Sequence, residues 1–186
     1  MDFRVESVEL KSADPASFRR VVGCFPTGVA IVTTRLRDVA YGITVNAFSA
    51  LSLRPPLVLC CIRRGSRFLQ GLAQTGTFAV NVLADHQIEL ASAFATSTRS
   101  DVDNSWFGRW CAPSGAPLIE GAAAWLDCRL DRAHDGGDHV ICIGRVAGLN
   151  SDKTRKSLVF DRGQFREVGH SWYLPSGADG LCWPVA

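Results

Sequence analysis

Short apolar runs, separated by clusters of Gly, Pro, Asp and Ser, dominate the hydrophobic pattern of the chain. Apolar runs bounded by turn residues are typical of strands, and several such runs in one domain favour a barrel or a sandwich. We therefore predict strands at residues 29–34, 39–45, 57–62, 78–83, 122–130, 140–149 and 157–168.

Helical signals are fewer than strand signals, and they do not alternate regularly with the strands. Asp14 followed by Pro15 is an N-cap with proline at the first helical position, and this first helix is expected to end at Gly23. Two further helices are predicted, one over residues 66–76 and one from residue 85 to about residue 98. This arrangement indicates an α+β, mainly β domain built on an antiparallel barrel.

The length, charge and composition of the chain indicate the size of the domain and the environment in which it works. The 186 residues are enough to enclose a core, and we divide them into a lead (1–13), a main domain (14–169) and a tail (170–186). The formal net charge is +2 with scattered basic residues, so a nucleic-acid partner has no electrostatic support. No uncharged apolar run approaches the roughly 20 residues of a membrane span, and the start lacks a signal-peptide layout. We expect a cytoplasmic protein without a membrane partner.

The seven cysteines are an odd number and include no C-x-x-C pair, so a disulfide framework is not expected. The four histidines form no H-x-x-x-H pair, and we predict no metal site. Core packing is favoured over redox chemistry for the cysteines that fall inside strand-like runs, where a free thiol behaves as a small hydrophobe. These are Cys60, Cys61, Cys128 and Cys142.

The polar segment at residues 41–56 is the first candidate binding site. A strand ending near Thr44 and Asn46 is predicted to continue into a loop that carries Ser49 and Ser52. Hydroxyls, an amide and backbone N–H groups this close together can bind a phosphate-bearing ligand at a strand end. On spacing alone, a plain polar loop is the favoured interpretation.

Two further segments are candidates for ligand binding. Arg63, Arg64 and Arg67 surround the start of the second predicted helix, where a helix N-terminus and arginines together can bind an anion. Taken alone, such a cluster is more often a solvated set of charges.

Residues 134–139, His-Asp-Gly-Gly-Asp-His, are predicted to form a hairpin turn. A turn does not explain why His139 opens the next strand, where it could hydrogen-bond a ligand.

Several common catalytic motifs are missing from the sequence. There is no G-x-G-x-x-G after a strand, no G-x-S-x-G elbow, no Walker loop and no carboxylate pair suited to glycoside chemistry. If the chain is an enzyme, a cofactor is therefore expected to carry its chemistry.

Four blocks of sequence suggest a family. They are Phe-Pro-Thr-Gly-Val-Ala-Ile-Val-Thr-Thr at 25–34, Thr-Val-Asn-Ala-Phe-Ser-Ala-Leu-Ser at 44–52 with Pro-Pro-Leu-Val at 55–58, Phe-Ala-Val-Asn-Val-Leu at 78–83, and Gly-Asp-His at 137–139. In order and spacing they resemble the short-chain flavin reductases, the reductase components of two-component flavin-dependent monooxygenases. The resemblance covers about residues 18–168. It implies a flavin-binding split barrel, a Greek-key antiparallel β-barrel with flanking helices, which is usually a homodimer with flavin near the subunit interface.

The resemblance also implies an activity. A reductase of this family transfers hydride from NADH or NADPH to FMN or FAD and supplies reduced flavin to a partner monooxygenase. In the family, the block equivalent to 44–52 lines the flavin ring and ribityl chain, the stretch equivalent to 63–68 holds the phosphate, and His139 would meet NAD(P)H as the catalytic residue. The cofactor-binding residues implied are Thr44, Val45, Asn46, Ala47, Phe48, Ser49, Ser52, Arg63, Ser66, Arg67, Phe68, Gly137, Asp138 and His139.

Two alternatives keep this fold and change the function. One is a flavin-binding split-barrel protein without nicotinamide-dependent turnover, which would have no reason to keep the Gly-Asp-His turn. The other is an oxidase that uses a tightly held FMN.

Overall fold

The computed structural model describes residue 10, residues 12–96, residue 107 and residues 109–169. The helices are α1 (Pro15–Val22), α2 (Arg67–Thr75) and α3 (Ile88–Ala95). The strands are β1 (Thr27–Gly28), β2 (Ala30–Leu36), β3 (Val39–Val45), β4 (Phe48–Leu53), β5 (Pro56–Arg63), β6 (Thr77–Val82), β7 (Ala124–Gly136), β8 (His139–Ser151), β9 (Leu158–Asp161) and β10 (Gln164–Glu167).

Seven strands form one antiparallel sheet in the order β3-β2-β6-β7-β8-β5-β4. The two edge strands, β3 and β4, follow one another in the chain and are joined only by Asn46 and Ala47, which we call the seam. Three residue steps separate Val45 from Phe48 and span at most about 11 Å, so the sheet must curl until its edges approach at the seam. In the described part of the chain no ladder joins β3 to β4, and the barrel is split there. The predicted mainly β split barrel is confirmed.

The barrel interior holds the larger hydrophobic core. Strands β2, β3 and β5 to β8 all contribute to it, and α2 adds the fully buried side chains of Phe68 and Leu72. The ring of Phe78 on β6 lies against Gly144 on β8, where any added Cβ would overlap it. Glycine is therefore required at residue 144 for the two strands to enclose this ring.

A second core lies on the outer side of β2. Val32 faces the barrel interior, whereas Ile31 packs with Phe94 of α3 and Leu158 of β9. A strand that is buried on both faces has apolar residues without alternation, which explains the unbroken apolar run that predicted it. Strand β9 also forms the centre of a small sheet of order β1-β9-β10.

Most predicted elements are confirmed to within a few residues. The helix capped by Asp14 is α1, and its carboxylate accepts hydrogen bonds of 3.0 Å from the N–H groups of Ala16 and Ser17. The predicted second helix is α2, which ends at Gly76 with a φ of 65°. The third helix begins at Ile88 rather than at residue 85, and its predicted last residues lie outside the described part of the chain.

Two strand predictions were wrong. Residues 157–168 form the hairpin β9–β10 instead of one strand, because Arg162 and Gly163 adopt φ values of 50° and 81° and reverse the chain. Residues 48–53, predicted as a loop, form β4 along β5. Ser49 and Ser52 therefore lie on a strand. The predicted tail, 170–186, lies outside the described residues, and in the described ranges no helix has the length and apolar character needed to cross a membrane.

Candidate active site

The seam lies beside the end of β5. The Cys61 N–H donates a hydrogen bond of 2.9 Å to the Ala47 carbonyl. On its other side β5 pairs with β8, where Arg63 lies opposite His139. Strand register thus places the seam, the end of β5 and the start of β8 at one end of the sheet.

The turn between β7 and β8 forms one wall of this region. It is a two-residue loop of Gly137 and Asp138 between the paired residues Gly136 and His139, so the hairpin turn predicted over residues 134–139 is present but shorter, because β7 extends to Gly136. Gly137 has a φ of 75°, which fits the first position of a type II′ hairpin turn. An added Cβ at Gly137 would meet nothing within 4 Å, so the space beside the turn is open to a ligand.

His139 is held in one orientation by its neighbour. Its Nδ1 lies 2.7 Å from the Asp138 Oδ1, and the carboxylate favours the tautomer that carries the proton on Nδ1. The Nε2 atom is then left to accept a hydrogen bond from a ligand. The hydrogen bond with His139 lowers the pKa of Asp138, and the positive charge of Arg63 adds a smaller effect in the same direction.

Arg64 crosses from the β5–α2 loop to the turn. Its Nε donates to the Gly137 carbonyl at 2.6 Å and its Nη2 to the Asp135 Oδ1 at 2.5 Å. The backbone N–H of Arg64 donates to the Asp138 carbonyl at 3.0 Å. The hydrogen bond from Arg64 lowers the pKa of Asp135. The guanidinium of Arg64 is therefore engaged by the turn.

The start of α2 follows the loop that contacts this turn. The Ser66 Oγ accepts a hydrogen bond of 3.3 Å from the Leu69 N–H, which makes Ser66 the N-cap. Phe68 points into the core, so it can face a ligand only through its backbone. Arg63 and Arg67 are exposed beside this helix start, where N–H groups and positive charge favour an anion such as a phosphate.

The remaining predicted residues differ in their access to this region. Asn46, Ala47 and Ser49 are exposed at or next to the seam, whereas Val45 is buried in the barrel. Phe48 packs partly against the same barrel core, at the start of β4. The hydroxyl of Thr44 donates to the Ala91 carbonyl of α3 at 2.7 Å.

Ser52 lies at the far end of β4. It pairs with Leu57, which is six residues along β5 from Arg63, and a strand of that length spans about 20 Å. The structure therefore brings together the seam, Arg63, the start of α2 and the Gly-Asp-His turn, and it leaves Ser52 apart from them.

Sequence reasoning missed two parts of this region. Ala30 pairs with Val45, so the chain just before β2, Thr27 and Gly28, runs beside the seam. The Thr27 Oγ1 is buried without a hydrogen-bond partner among the residues described, and a Cβ at Gly28 would meet nothing within 4 Å. The other part is the contact of Arg64 with the hairpin, because the sequence placed Arg64 in the anion-binding cluster and the hairpin that engages its guanidinium is distant in sequence.

The groups assembled here suit a planar ligand that carries a phosphate. Glycines with open space beside them allow a flat ring to approach the backbone, and the buried Thr27 hydroxyl has hydrogen-bonding capacity to spare. The start of α2 suits the phosphate. Across the described ranges, no group of three or more His, Cys, Asp or Glu side chains could hold a metal ion.

Sequence comparison identifies the relatives of the chain. Residues 22–169 match the family model described as flavin reductase like domain. The reductase subunit HsaB of a flavin-dependent monooxygenase from Rhodococcus jostii (strain RHA1) is 40% identical over 171 residues, 91% of this chain and 86% of that protein. An NADH-dependent FAD reductase from Streptomyces globisporus is 41% identical over 156 residues, 82% of this chain and 85% of that protein.

The solved structures that resemble the chain are flavin reductases, like the relatives found by sequence. The NADH:FAD oxidoreductase SgcE6 from Streptomyces globisporus C-1027 has a TM-score of 0.80 at 38% identity, over 89% of this chain and 100% of that one. The same protein in complex with NAD and FAD fragments has a TM-score of 0.77 at 37% identity, over 90% and 99% of the two chains. BorF, the flavin reductase component of a bacterial two-component tryptophan halogenase, has a TM-score of 0.78 at 37% identity, over 85% and 100%.

Proposed function

The chain belongs to the flavin reductase like domain family, and on this premise we propose that it is an NAD(P)H-dependent flavin reductase. It transfers hydride from NADH or NADPH to FMN or FAD and supplies reduced flavin to a partner monooxygenase. The observation that carries the proposal is the meeting, at one end of the sheet, of the seam, the start of α2 and the turn next to His139.

We assign the flavin to the seam and to the start of α2. Arg63, Arg67 and the first N–H groups of α2 would hold its phosphate. Backbone N–H groups near Ala47 and Phe48 would stabilise negative charge on the reduced ring. When bound, the flavin supplies the hydride acceptor, so the chain needs to bind and orient two flat rings and needs no acid–base pair of its own.

We assign the nicotinamide nucleotide to the Gly137-Asp138-His139 turn. Asp138 fixes the imidazole, and the Nε2 of His139 is free to hydrogen-bond the nucleotide. With side chains 40% and 91% exposed, respectively, His139 and Asp138 can be reached by a ligand that enters from solvent.

We also propose a homodimer in the cytoplasm. Leu51 and Leu53 on β4 are 44% and 62% exposed, and Leu149 on β8 is 74% exposed. Exposed apolar side chains of this size support a protein interface.

The cysteines support the cytoplasmic location. The six cysteines of the described residues are all free, which suits a reducing compartment.

The proposal is tested by following the absorbance of NADH and NADPH with FMN, FAD or riboflavin as acceptor. We expect many turnovers per subunit, and we expect His139→Ala to raise the KM for the nicotinamide about tenfold with a smaller effect on the flavin KM. His86→Ala is the matched control, because His86 also follows an aspartate and has an exposed side chain. Absence of turnover with both donors would contradict the proposal.

The same experiment distinguishes the two alternatives. Flavin that binds while neither nicotinamide is oxidised would indicate a flavin-binding protein without turnover. Flavin that survives dialysis and is never released in its reduced form would indicate an oxidase with a held FMN.

A further inference from the structure

We propose that Arg64 is a positioning residue, which holds the nicotinamide-side turn against the flavin-phosphate loop and so sets the affinity for NAD(P)H. The inference rests on the proposed function. Arg64 lies in the stretch 63–68 that the resemblance assigns to the phosphate, but it is not among the individual binding residues implied. The contacts of the folded chain direct its guanidinium to the turn instead.

The two sides of the turn differ in their support from the sheet, because β8 pairs with β5 as far as His139 while the end of β7 has less support. Strand β6 pairs with β7 only from Ala124 to Arg129, so the last residues of β7 have a strand partner on one side alone. Residues 132–138 are exposed. Strand β5 and the Arg64 N–H, which donates to the Asp138 carbonyl, hold the β8 side of the turn, so the β7 side is the one that depends on a side-chain contact.

Arg64 provides a direct connection at the tip of this hairpin. Its guanidinium donates to the Gly137 carbonyl and to the Asp135 carboxylate, whose Oδ1 also accepts a hydrogen bond of 3.0 Å from the Gly137 N–H. Asp135, Gly137 and Arg64 thus form a closed set of hydrogen bonds. The imidazole of His139 contacts Asp138, the residue next to Gly137, so this set of hydrogen bonds helps to position the imidazole.

The chemistry of the contact requires an arginine. A guanidinium reaches two acceptors at once in a fixed plane, whereas a lysine ammonium on a flexible stem matches such a pair poorly. The Arg64 side chain is half-exposed and that of Asp135 is largely exposed, and exposed ion pairs contribute little to global stability. Loss of Arg64 should therefore change the position of the turn and leave the fold intact.

The kinetic test compares Arg64→Met, Arg64→Lys and wild type. We expect Arg64→Met to raise the KM for NADH about fivefold, with kcat and the flavin KM within about twofold of wild type. Arg64→Lys should recover part of the loss. The double variant Arg64→Met/Asp135→Ala should be no worse than Arg64→Met alone, because both changes break one connection. Arg145→Met is the matched control, since Arg145 is also half-exposed and pairs with an aspartate, Asp131.

Hydrogen–deuterium exchange gives a readout that does not depend on activity. Peptides covering residues 133–141 should exchange faster in Arg64→Met than in wild type, and Arg145→Met should leave them unchanged. Unchanged exchange in Arg64→Met, or an equal rise in the flavin and NADH KM values, would overturn the inference. An inactive wild-type protein would contradict the proposed function, while the exchange result would still decide whether Arg64 holds the turn.

Discussion

Cys60 and Cys142 lie opposite each other on β5 and β8, and with Cys128 they are buried in the barrel. The hydrogen bond with Cys142, together with burial, raises the pKa of Cys60, and burial raises the pKa of Cys128 to about 12. A raised pKa keeps a thiol protonated, and a protonated thiol is a poor nucleophile. Cys60 and Cys128 therefore stay protonated, and all three cysteines pack in the core as small hydrophobes, as the sequence predicted.

Thiol labelling measures this difference. We expect iodoacetamide at pH 8 to modify the exposed Cys24 and Cys111 in the native protein, while Cys60 and Cys128 react only after unfolding. Cys128 would be deprotonated only near its pKa of about 12, far above the labelling pH. Peptide mass spectrometry before and after denaturation checks the pattern, and native labelling of Cys128 would contradict it.

The sequence could predict which types of residue form the site, but it predicted less well the direction in which each side chain points. The arginines beside the second helix indicated an anion site, but nothing in their order separates Arg64, which contacts the hairpin, from Arg63 and Arg67. Val45 and Phe68 belong to the implied binding blocks, yet both side chains lie in the core. Side-chain direction depends on strand register and helix packing, which only the folded chain provides.

The β7–β8 hairpin offers a test at the level of an element. Gly137 and Gly163 have φ values of 75° and 81°, and an added Cβ would meet nothing within 4 Å at either position. We expect Gly137→Ala and Gly163→Ala to destabilise the fold by similar amounts, about 1–2 kcal/mol each, because a Cβ strains this backbone. Thermal unfolding of the two variants measures this cost.

The two variants should differ in kinetics. Only the methyl group at residue 137 would stand where we place the nicotinamide nucleotide, so Gly137→Ala should raise the KM for NADH about fivefold or more. Gly163→Ala serves as the control for backbone strain. Equal NADH kinetics in the two variants would mean that the turn does not meet the nucleotide.

Strands were predicted where burial leaves a signal in the sequence. Strand β2 is apolar on both faces and gave an unbroken run, whereas β4 carries two serines among its six residues and was predicted as a loop. The β9–β10 hairpin was missed because its turn, Arg162-Gly163, interrupts the apolar pattern only briefly. Pairing with β5 and β9, which the local sequence does not encode, gives these segments their strand conformation.

At the scale of the whole molecule, the proposed dimer predicts a measurable mass. Sedimentation velocity should give a mass twice the 20.2 kDa of the chain. Leu53→Glu should weaken the dimer at least about tenfold, because it places a charge among exposed apolar side chains. Val39→Glu, at an exposed apolar position on β3, is the control and should leave the mass unchanged. A monomer in the wild-type protein would contradict the dimer.

The order of the strands in the barrel could not be predicted from the hydrophobic pattern. Periodicity predicted separate strands and an antiparallel barrel, and the family resemblance added the split, Greek-key form. The reason is that β2 pairs with β6 and β5 with β8, contacts between residues far apart in the chain. Such pairings are fixed by the packing of the shared interior, to which each strand of the seven-stranded sheet contributes only one or a few side chains.

The seam has a consequence for the behaviour of the protein in concentrated solution. An open sheet exposes unpaired N–H and C=O groups along both of its outermost strands, and these recruit strands from other molecules. Here Asn46 and Ala47 join the end of β3 directly to the start of β4, so the unpaired edges of these two strands approach each other at the seam. The short connection thus limits edge-to-edge aggregation at the same place where it offers polar groups to a ligand.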